Sequence, residues 1–303
     1  MKEIRYKILK RLAEGGSGIT YLVWDVRLEK KWVMKRIAFS AEPMREAARR
    51  EIAALRSLHK EGIPVLTDVF YEENAICLVM EYLEGITLEE KVLREGALSQ
   101  DAAVRYALQL AELLCFLHER AAPLIHGDLK PQNLMIKEDK VSLLDFGAAV
   151  FAGRPGGAFR EDAEGHVCGR GAGCGDLSDM WGSGWYTPGY GAPELQRGEA
   201  ASVRSDIYAF GAVLFYMLTG EDAGGSRGIY PIREQSREFP AWLELVILRC
   251  TEKQPEKRYA SMREVVSALC ERRCGGRRKR DARERRRTFQ TLENILLTEA
   301  EGV

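Results

Sequence analysis

Hydrophobic and polar positions change their rhythm along the chain. Residues 21–26 and 31–37 are short runs rich in β-branched and aromatic side chains, with a Gly-rich turn before the first, and they are predicted as strands. Ala48, Glu51, Ile52 and Leu55 recur at helical spacing inside a helix predicted over 43–58, with Ser40 and Pro43 as its start signals. Glu51 therefore lies beside an apolar stripe. Residues 65–71 and 75–81 read as a strand pair joined by the turn residues Glu72, Glu73 and Asn74.

After Gly85 the period becomes helical. Ser99 opens a long helix with Val104, Ala107, Leu108, Ala111 and Leu114 on one face. Loops and short strands are expected over 125–146, and helices over 203–219, 241–251 and 261–272. Residues 151–184 are Gly-rich with little periodicity and read as one long loop. The C-terminal segment differs in kind. Eight of the eleven residues from Arg277 to Arg287 are basic, and Phe289, Leu292, Ile295 and Leu296 then form a short amphipathic pattern.

Composition narrows the class. A chain of 303 residues, 46% of them hydrophobic, can bury a large core as one domain or two lobes. Its 45 basic and 45 acidic residues cancel, so no overall field calls for nucleic acid, and none is expected as a partner. Seven cysteines, an odd number without a regular framework, suggest free thiols in a reducing, cytoplasmic setting. The start of the chain lacks the apolar core of a secretory signal. The longest uncharged apolar run, 14 residues between Asp206 and Glu221, is too short for a bilayer, so a soluble chain is expected.

The most specific motif is His126-Gly127-Asp128-Leu129-Lys130-Pro131-Gln132-Asn133. Transfer of a phosphoryl group to a hydroxyl needs an oriented acceptor, a neutralised phosphate and a metal bridge. Asp128 can take the hydroxyl proton, Lys130 can reach the transferred phosphate, and the Asn133 amide oxygen suits Mg²⁺. Twelve residues on comes Asp145-Phe146-Gly147, a carboxylate at a predicted strand end that suits a second Mg²⁺ contact. Near the start, Leu12-Ala13-Glu14-Gly15-Gly16-Ser17-Gly18 lets backbone amides approach phosphates. Lys35 follows on the next strand, and Glu51, 16 residues later, can hold it by an ion pair against phosphate. Each of the shorter motifs alone is more often an ordinary turn or a solvated charge. Their joint order is what carries weight.

Together these segments resemble the eukaryotic-type protein kinase family over roughly residues 5–272. The resemblance implies an α+β fold of two lobes: a small antiparallel sheet with one helix (1–82) and a larger, mainly helical lobe (83–274). Residues 275–303 form a basic tail outside it. It implies ATP and Mg²⁺ as cofactors and proteins as substrates, with Asp128, Lys130, Asn133, Lys35 and Glu51 catalytic. Leu12, Gly15, Gly16, Gly18, Thr20, Val33, Lys35, Met80, Glu81, Leu83, Met135 and Asp145 would contact the nucleotide, with Met80 as gatekeeper and Glu81 and Leu83 at the hinge. Asn133 and Asp145 would hold the metal. Glu194 of Gly191-Ala192-Pro193-Glu194 is expected to pair with Arg258, Asp206 to brace the catalytic loop, and Leu55, Leu66, His126 and Phe146 to stack between the lobes. Lys130-Pro131 and Thr187-Pro188-Gly189-Tyr190 are the serine/threonine form, which puts Thr187 near Asp128 and Lys130. The style of the chain resembles the bacterial branch.

The chain departs from the family pattern in several places. Ala13 replaces the first loop glycine, and Thr20 and Val33 alter the residues that sandwich adenine. Gly127 replaces an Arg that in the family receives an activation-segment phosphate. Small-molecule phosphotransferases resembling aminoglycoside kinases share the fold and often carry His-Gly-Asp, whereas Lys130, Phe146, Glu194 and Arg258 argue for a protein acceptor. A pseudokinase scaffold is the other alternative, although Lys35, Glu51, Asp128, Asn133 and Asp145 are all retained. His166, Cys168 and Cys174 are three of the four ligands a structural zinc needs, and an insert without metal is expected instead. The basic tail reads first as a solvated helix or flexible tail, with contact with anionic lipid as the alternative; the oligomeric state is left open. Without the arginine, activation-segment phosphate has no receiver. Ser178→Ala and Ser183→Ala are therefore expected to leave turnover within a few-fold of the parent, and a large loss in either folded variant would contradict this.

Overall fold

A computed structural model describes residues 5–15, 18–38, 42–152, 160–161, 167–168 and 187–274. Gly16, Ser17, Ser40, His166, Cys174, Ser178, Ser183 and the 275–303 tail lie outside the described residues. Five antiparallel strands form the first layer: β1 (Tyr6–Gly15), β2 (Gly18–Asp25), β3 (Lys30–Ala38), β4 (Leu66–Glu72) and β5 (Ala75–Glu81), in the order β1-β2-β3-β5-β4. β5 is apolar from Ala75 to Met80 and buried throughout that run, because both faces of the sheet are covered near it. On the inner face, Ile76, Leu78 and Met80 join the main core. On the outer face, Cys77 and Val79 join Val23 and Met34 under Tyr6, Tyr21, Trp32 and Phe70.

Helix α1 (Glu42–Arg56) packs beside β3 and β4 and carries Glu51 inward. It ends two residues earlier than its periodicity suggested. The amides of Ser57 and Leu58 turn to the carbonyls of Ala54 and Leu55, three residues back, and tighten the last turn. β1 was not legible as a strand. After Tyr6 its residues are exposed, so an edge strand with little to bury shows no alternation.

Residues 82–85 lead into the helical lobe. β6 (Ile86–Thr87) precedes α2 (Leu88–Glu95), which starts on a capping box between Thr87 and Glu90. α3 (Gln100–His118) starts where expected, with the Ser99 hydroxyl accepting from the Ala102 amide. The short strands β7 (Leu124–Ile125), β8 (Leu134–Lys137) and β9 (Lys140–Leu143) flank the segment that holds Asp128. The region read as one loop over 151–184 contains pieces of ladder. β10 (Val150–Phe151) pairs with β7, and β11 (Arg160–Glu161) pairs with β12 (Val167–Cys168); two-residue strands are too short to show a period.

A four-residue helix, α4 (Pro193–Gln196), leads to α5 (Val203–Thr219), the axis of the lobe, followed by α6 (Ala241–Cys250) and α7 (Met262–Cys274). α5 is buried on nearly every side, which explains the 14-residue apolar run of the sequence. Among the described residues, no helix is long and apolar enough to cross a membrane.

One buried ion pair fixes how α4 meets α5 and the α6–α7 connection. Arg258, with its side chain fully buried, donates from both terminal nitrogens to the Glu194 carboxylate at 2.7 Å each, and also to the carbonyls of Arg204 and Glu252. Ser205 Oγ donates to the same carboxylate at 2.9 Å. Burial works against the charge on Glu194, but these donors prevail and hold its pKa below the ordinary glutamate value. Arg258→Met would leave Glu194 charged, buried and short of donors. It is expected to lower unfolding stability by about 3–5 kcal/mol in urea titrations; a loss under about 1 kcal/mol would show that the pair contributes little net stability.

Candidate functional site

Lys35 lies mid-strand on β3 and faces inward, because it alternates with Met34 and Arg36 on the opposite face. Its ammonium donates to Glu51 Oε1 at 2.8 Å, to Glu51 Oε2 at 2.9 Å and to Asp145 Oδ1 at 2.7 Å. Sheet, helix and the turn after β9 thus meet on one nitrogen. Burial disfavours the ammonium, but the two carboxylates outweigh it and raise the Lys35 pKa above the ordinary lysine value. Glu51 shares that single cation with Asp145 and is itself buried, so burial and repulsion from Asp145 raise its pKa. Asp145 is the more open of the two. Burial works against its charge, yet Lys35 and the Gly147 amide hold its pKa at about 2. Its left-handed backbone, φ 57°, folds the carboxylate back toward both donors.

The second cluster forms around Asp128. Its Oδ2 accepts from Lys130 Nζ at 2.5 Å and its Oδ1 from Thr187 Oγ1 at 2.9 Å, while Lys130 Nζ also donates to Thr187 Oγ1 at 3.0 Å. Asn133 donates its amide to the Asp128 carbonyl at 2.8 Å and to Asp128 Oδ2 at 3.3 Å. Among the described residues, Asn133 Oδ1 takes no hydrogen bond, nor does the second carboxylate oxygen of Asp145, so both remain for a hard cation. The backbone links the two clusters. Asn133 O accepts from the Leu144 amide at 2.8 Å, and the His126 ring donates from Nε2 to Leu144 O at 3.1 Å, one residue before Asp145.

A buried carboxylate aims this loop. Asp206 on α5 accepts from the His126 amide at 2.8 Å and the Gly127 amide at 2.9 Å, and from His118 Nε2 at 2.8 Å. Burial alone would raise its pKa; His118 and the loop donors turn the shift downward. Gly127 has φ 80°, and a Cβ there would stand 2.7 Å from the Ala148 carbonyl oxygen. The residue that replaces arginine is thus one the local backbone demands. The ring of His126 meets that of Phe146 edge-on, centroids 5.1 Å apart. Leu55 and Phe146 belong to the same buried cluster, and Leu66 packs against it, so the four side chains expected between the lobes do meet one core.

The nucleotide residues expected from the sequence divide by position. Thr20 pairs with Lys35 across β2 and β3, and Val33 pairs with Met80 across β3 and β5. Met80 is nearly buried, and Val33 packs against the main core. Met135 lies on β8, beneath the entry to the helical lobe. Leu12 and Gly15 lie at the exposed end of β1, and Gly18 opens β2. The Glu81 amide is bonded to Val65 O at 2.9 Å. The Leu83 amide makes no backbone hydrogen bond among the described residues. Cys168 lies on β12 by its backbone alone, and no group of three or more His, Cys, Asp or Glu side chains that could hold a metal ion occurs among the described residues.

Sequence reasoning missed His118. Its signal was a polar residue at a buried position on an apolar helix face, one turn after Leu114.

The geometry agrees with a comparison against family models. The protein kinase domain model matches residues 6–278. The chain belongs to the protein kinase domain family. Among curated relatives, a probable serine/threonine-protein kinase of Clostridium acetobutylicum is 29% identical over 281 residues, 88% of this chain and 39% of the relative. Serine/threonine-protein kinase PrkC of Bacillus subtilis is 28% identical over 281 residues, 88% and 40%. Serine/threonine-protein kinase PknB of Mycobacterium tuberculosis is 29% identical over 287 residues, 88% and 42%. The kinase domain therefore spans about two fifths of the length of these relatives, and all three are bacterial, in line with the branch expected from the sequence.

Asp145 links this cluster to pH. Its folded pKa of about 2 lies below its ordinary value, so the stability it contributes is present above about pH 4 and is lost as the pH falls toward 2. The stability gap between the parent and Asp145→Asn is expected to narrow by about 1–2 kcal/mol between pH 5 and pH 2.5, a range discounted because water reaches about a third of the side chain. A gap unchanged over that interval in urea titrations would refute the depressed pKa.

Proposed function

We propose that the chain is a protein serine/threonine kinase that transfers the γ-phosphoryl group of ATP to serine or threonine hydroxyls of proteins. The observation that carries this reading is the Asp128–Lys130–Thr187–Asn133 cluster, linked through Leu144 to the assembled Lys35–Glu51–Asp145 cluster. In this reading Asp128 receives the acceptor proton, and Thr187 and Lys130 fix the direction of its carboxylate. Bound ATP with Mg²⁺ supplies the transferable phosphoryl group and screens its charge. Lys35, held by Glu51, faces the α- and β-phosphates, and Lys130 faces the group in transfer. Asn133 Oδ1 and Asp145 would hold the metal, a fit supported by their uncommitted oxygens. Leu12, Gly15, Gly16, Gly18, Thr20, Val33, Met80, Glu81, Leu83 and Met135 would enclose the nucleotide.

The kinase domain is read as 1–274, with the lobes meeting at 82–83 and 275–303 as a separate tail. A cytoplasmic setting, with ATP at hand, suits the buried free thiols of Cys77, Cys115 and Cys250. Contact of the basic tail with anionic lipid remains a proposal from its charge alone.

Gly127 by itself would also suit a small-molecule phosphotransferase, while the Glu194–Arg258 pair supports a platform for a protein acceptor. Incubation of the parent and Asp128→Asn with labelled ATP, Mg²⁺ and a generic protein substrate separates these readings. Phosphoserine or phosphothreonine is expected with the parent and should fall by about 10²-fold or more in the variant. Labelling of small amine or hydroxyl compounds alone would favour the small-molecule reading, and nucleotide binding without turnover would favour a scaffold.

A further inference from the structure

Thr187 reaches Asp128 because it sits in a tight turn. Its carbonyl accepts from the Tyr190 amide at 3.1 Å and the Gly191 amide at 2.9 Å, while its hydroxyl lies between Asp128 and Lys130. The residues after Thr187 also rest closely on the loop that follows α5. Gly189 has φ 83°, and a Cβ on it would stand 2.0 Å from the Gly224 nitrogen and 2.3 Å from its Cα. In return, a Cβ on Gly224 would stand 2.7 Å from the Pro188 carbonyl oxygen. The two backbones touch glycine against glycine, with no side chain between them to yield.

The loop is itself braced. The Gly224 amide donates to Asp222 Oδ1 at 3.0 Å and the Gly225 amide to the Asp222 carbonyl at 2.9 Å. Tyr190 is buried with its hydroxyl beside the Asp222 carboxylate, and burial together with that carboxylate raises its pKa. Asp222 therefore touches both members of the contact: it holds the loop by the Gly224 amide, and its carboxylate lies beside the Tyr190 hydroxyl of the turn.

We propose that the 222–225 loop is the seat that sets the position of Thr187 over Asp128, and that Gly224 and Asp222 are positioning residues for phosphoryl transfer to a peptide hydroxyl. This rests on the kinase reading above. A methyl group on Gly224 would have to displace the Pro188 carbonyl by about 0.7 Å to reach ordinary van der Waals contact, and the neighbour in the way is backbone rather than the end of a flexible side chain. Pro188 adjoins Thr187, so the 2.9 Å bond to Asp128 would lengthen beyond useful range. Misplacement on this scale costs far more in rate than in binding.

The test uses the full chain, a threonine-containing basic-protein peptide, and the variants Gly224→Ala, Asp222→Ala, Asp222→Asn and Ser226→Ala. Gly224→Ala is expected to lower peptide kcat at least about ten-fold with KM for ATP within about two-fold of the parent. Asp222→Ala should show the same split, Asp222→Asn should recover most of it, and Ser226→Ala, exposed on the same loop, should match the parent. Combining Gly224→Ala with Thr187→Ala makes the readout specific, because a residue acting through Thr187 adds no further loss once Thr187 is gone. Additive losses, or a peptide kcat within about two-fold of the parent in Gly224→Ala, would overturn the proposal. If Gly224→Ala fails to fold, the Asp222 pair and its own combination with Thr187→Ala decide the matter by the same criteria. A parent chain that phosphorylates no peptide at all defeats the kinase reading itself, a result distinct from any of these.

Discussion

One ammonium group holds the two lobes in register. Lys35 reaches Glu51 from the sheet and Asp145 from the helical lobe, all within 2.9 Å, and no other cation is bonded to either carboxylate among the described residues. A buried lysine with one partner would be costly, and a buried glutamate without one more so. The three charges are therefore stable only together, and sheet, helix α1 and the turn after β9 must close on one another. The left-handed backbone of Asp145 is a local strain maintained by that closure.

The same rule governs the rest of the large lobe. Asp206 gathers the amides of His126 and Gly127 and the His118 ring, and Glu194 gathers Arg258 and Ser205. Each is a buried carboxylate on or beside α5 whose donors come from segments far apart in sequence. α5 is thus both the apolar axis of the core and the rail along which the irregular segments are fastened. Irregular segments lack ladders of their own, and these side chains supply the hydrogen bonds that a sheet or helix would provide.

Gly127 adopts a left-handed conformation in which a side chain would meet the Ala148 carbonyl, so the position before Asp128 is closed to an arginine. The outer face of the sheet shows a different economy. Arg5 bonds to both Asp25 and Asp68, and Tyr6 donates to Asp68 while stacking on Phe70, so the exposed edge strand β1 is held by polar bonds at its first residues.

Much of this was legible in the sequence. The periodicity of 203–219 matched α5 at both ends, Ser99 marked the start of α3, and the apolar run of β5 was read at its true limits, because each signal is local. Residue identity and spacing also determined which side chains could serve phosphoryl transfer, since that chemistry admits few types. Tertiary structure alone decided the rest: that β1 is a strand despite its exposure, that His118 serves Asp206 across 88 positions, and that Gly189 rests on Gly224. The physical reason is common to all three. A buried polar atom or a backbone contact is defined by its partner, and a partner that chain folding brings from a distance leaves no period in the sequence.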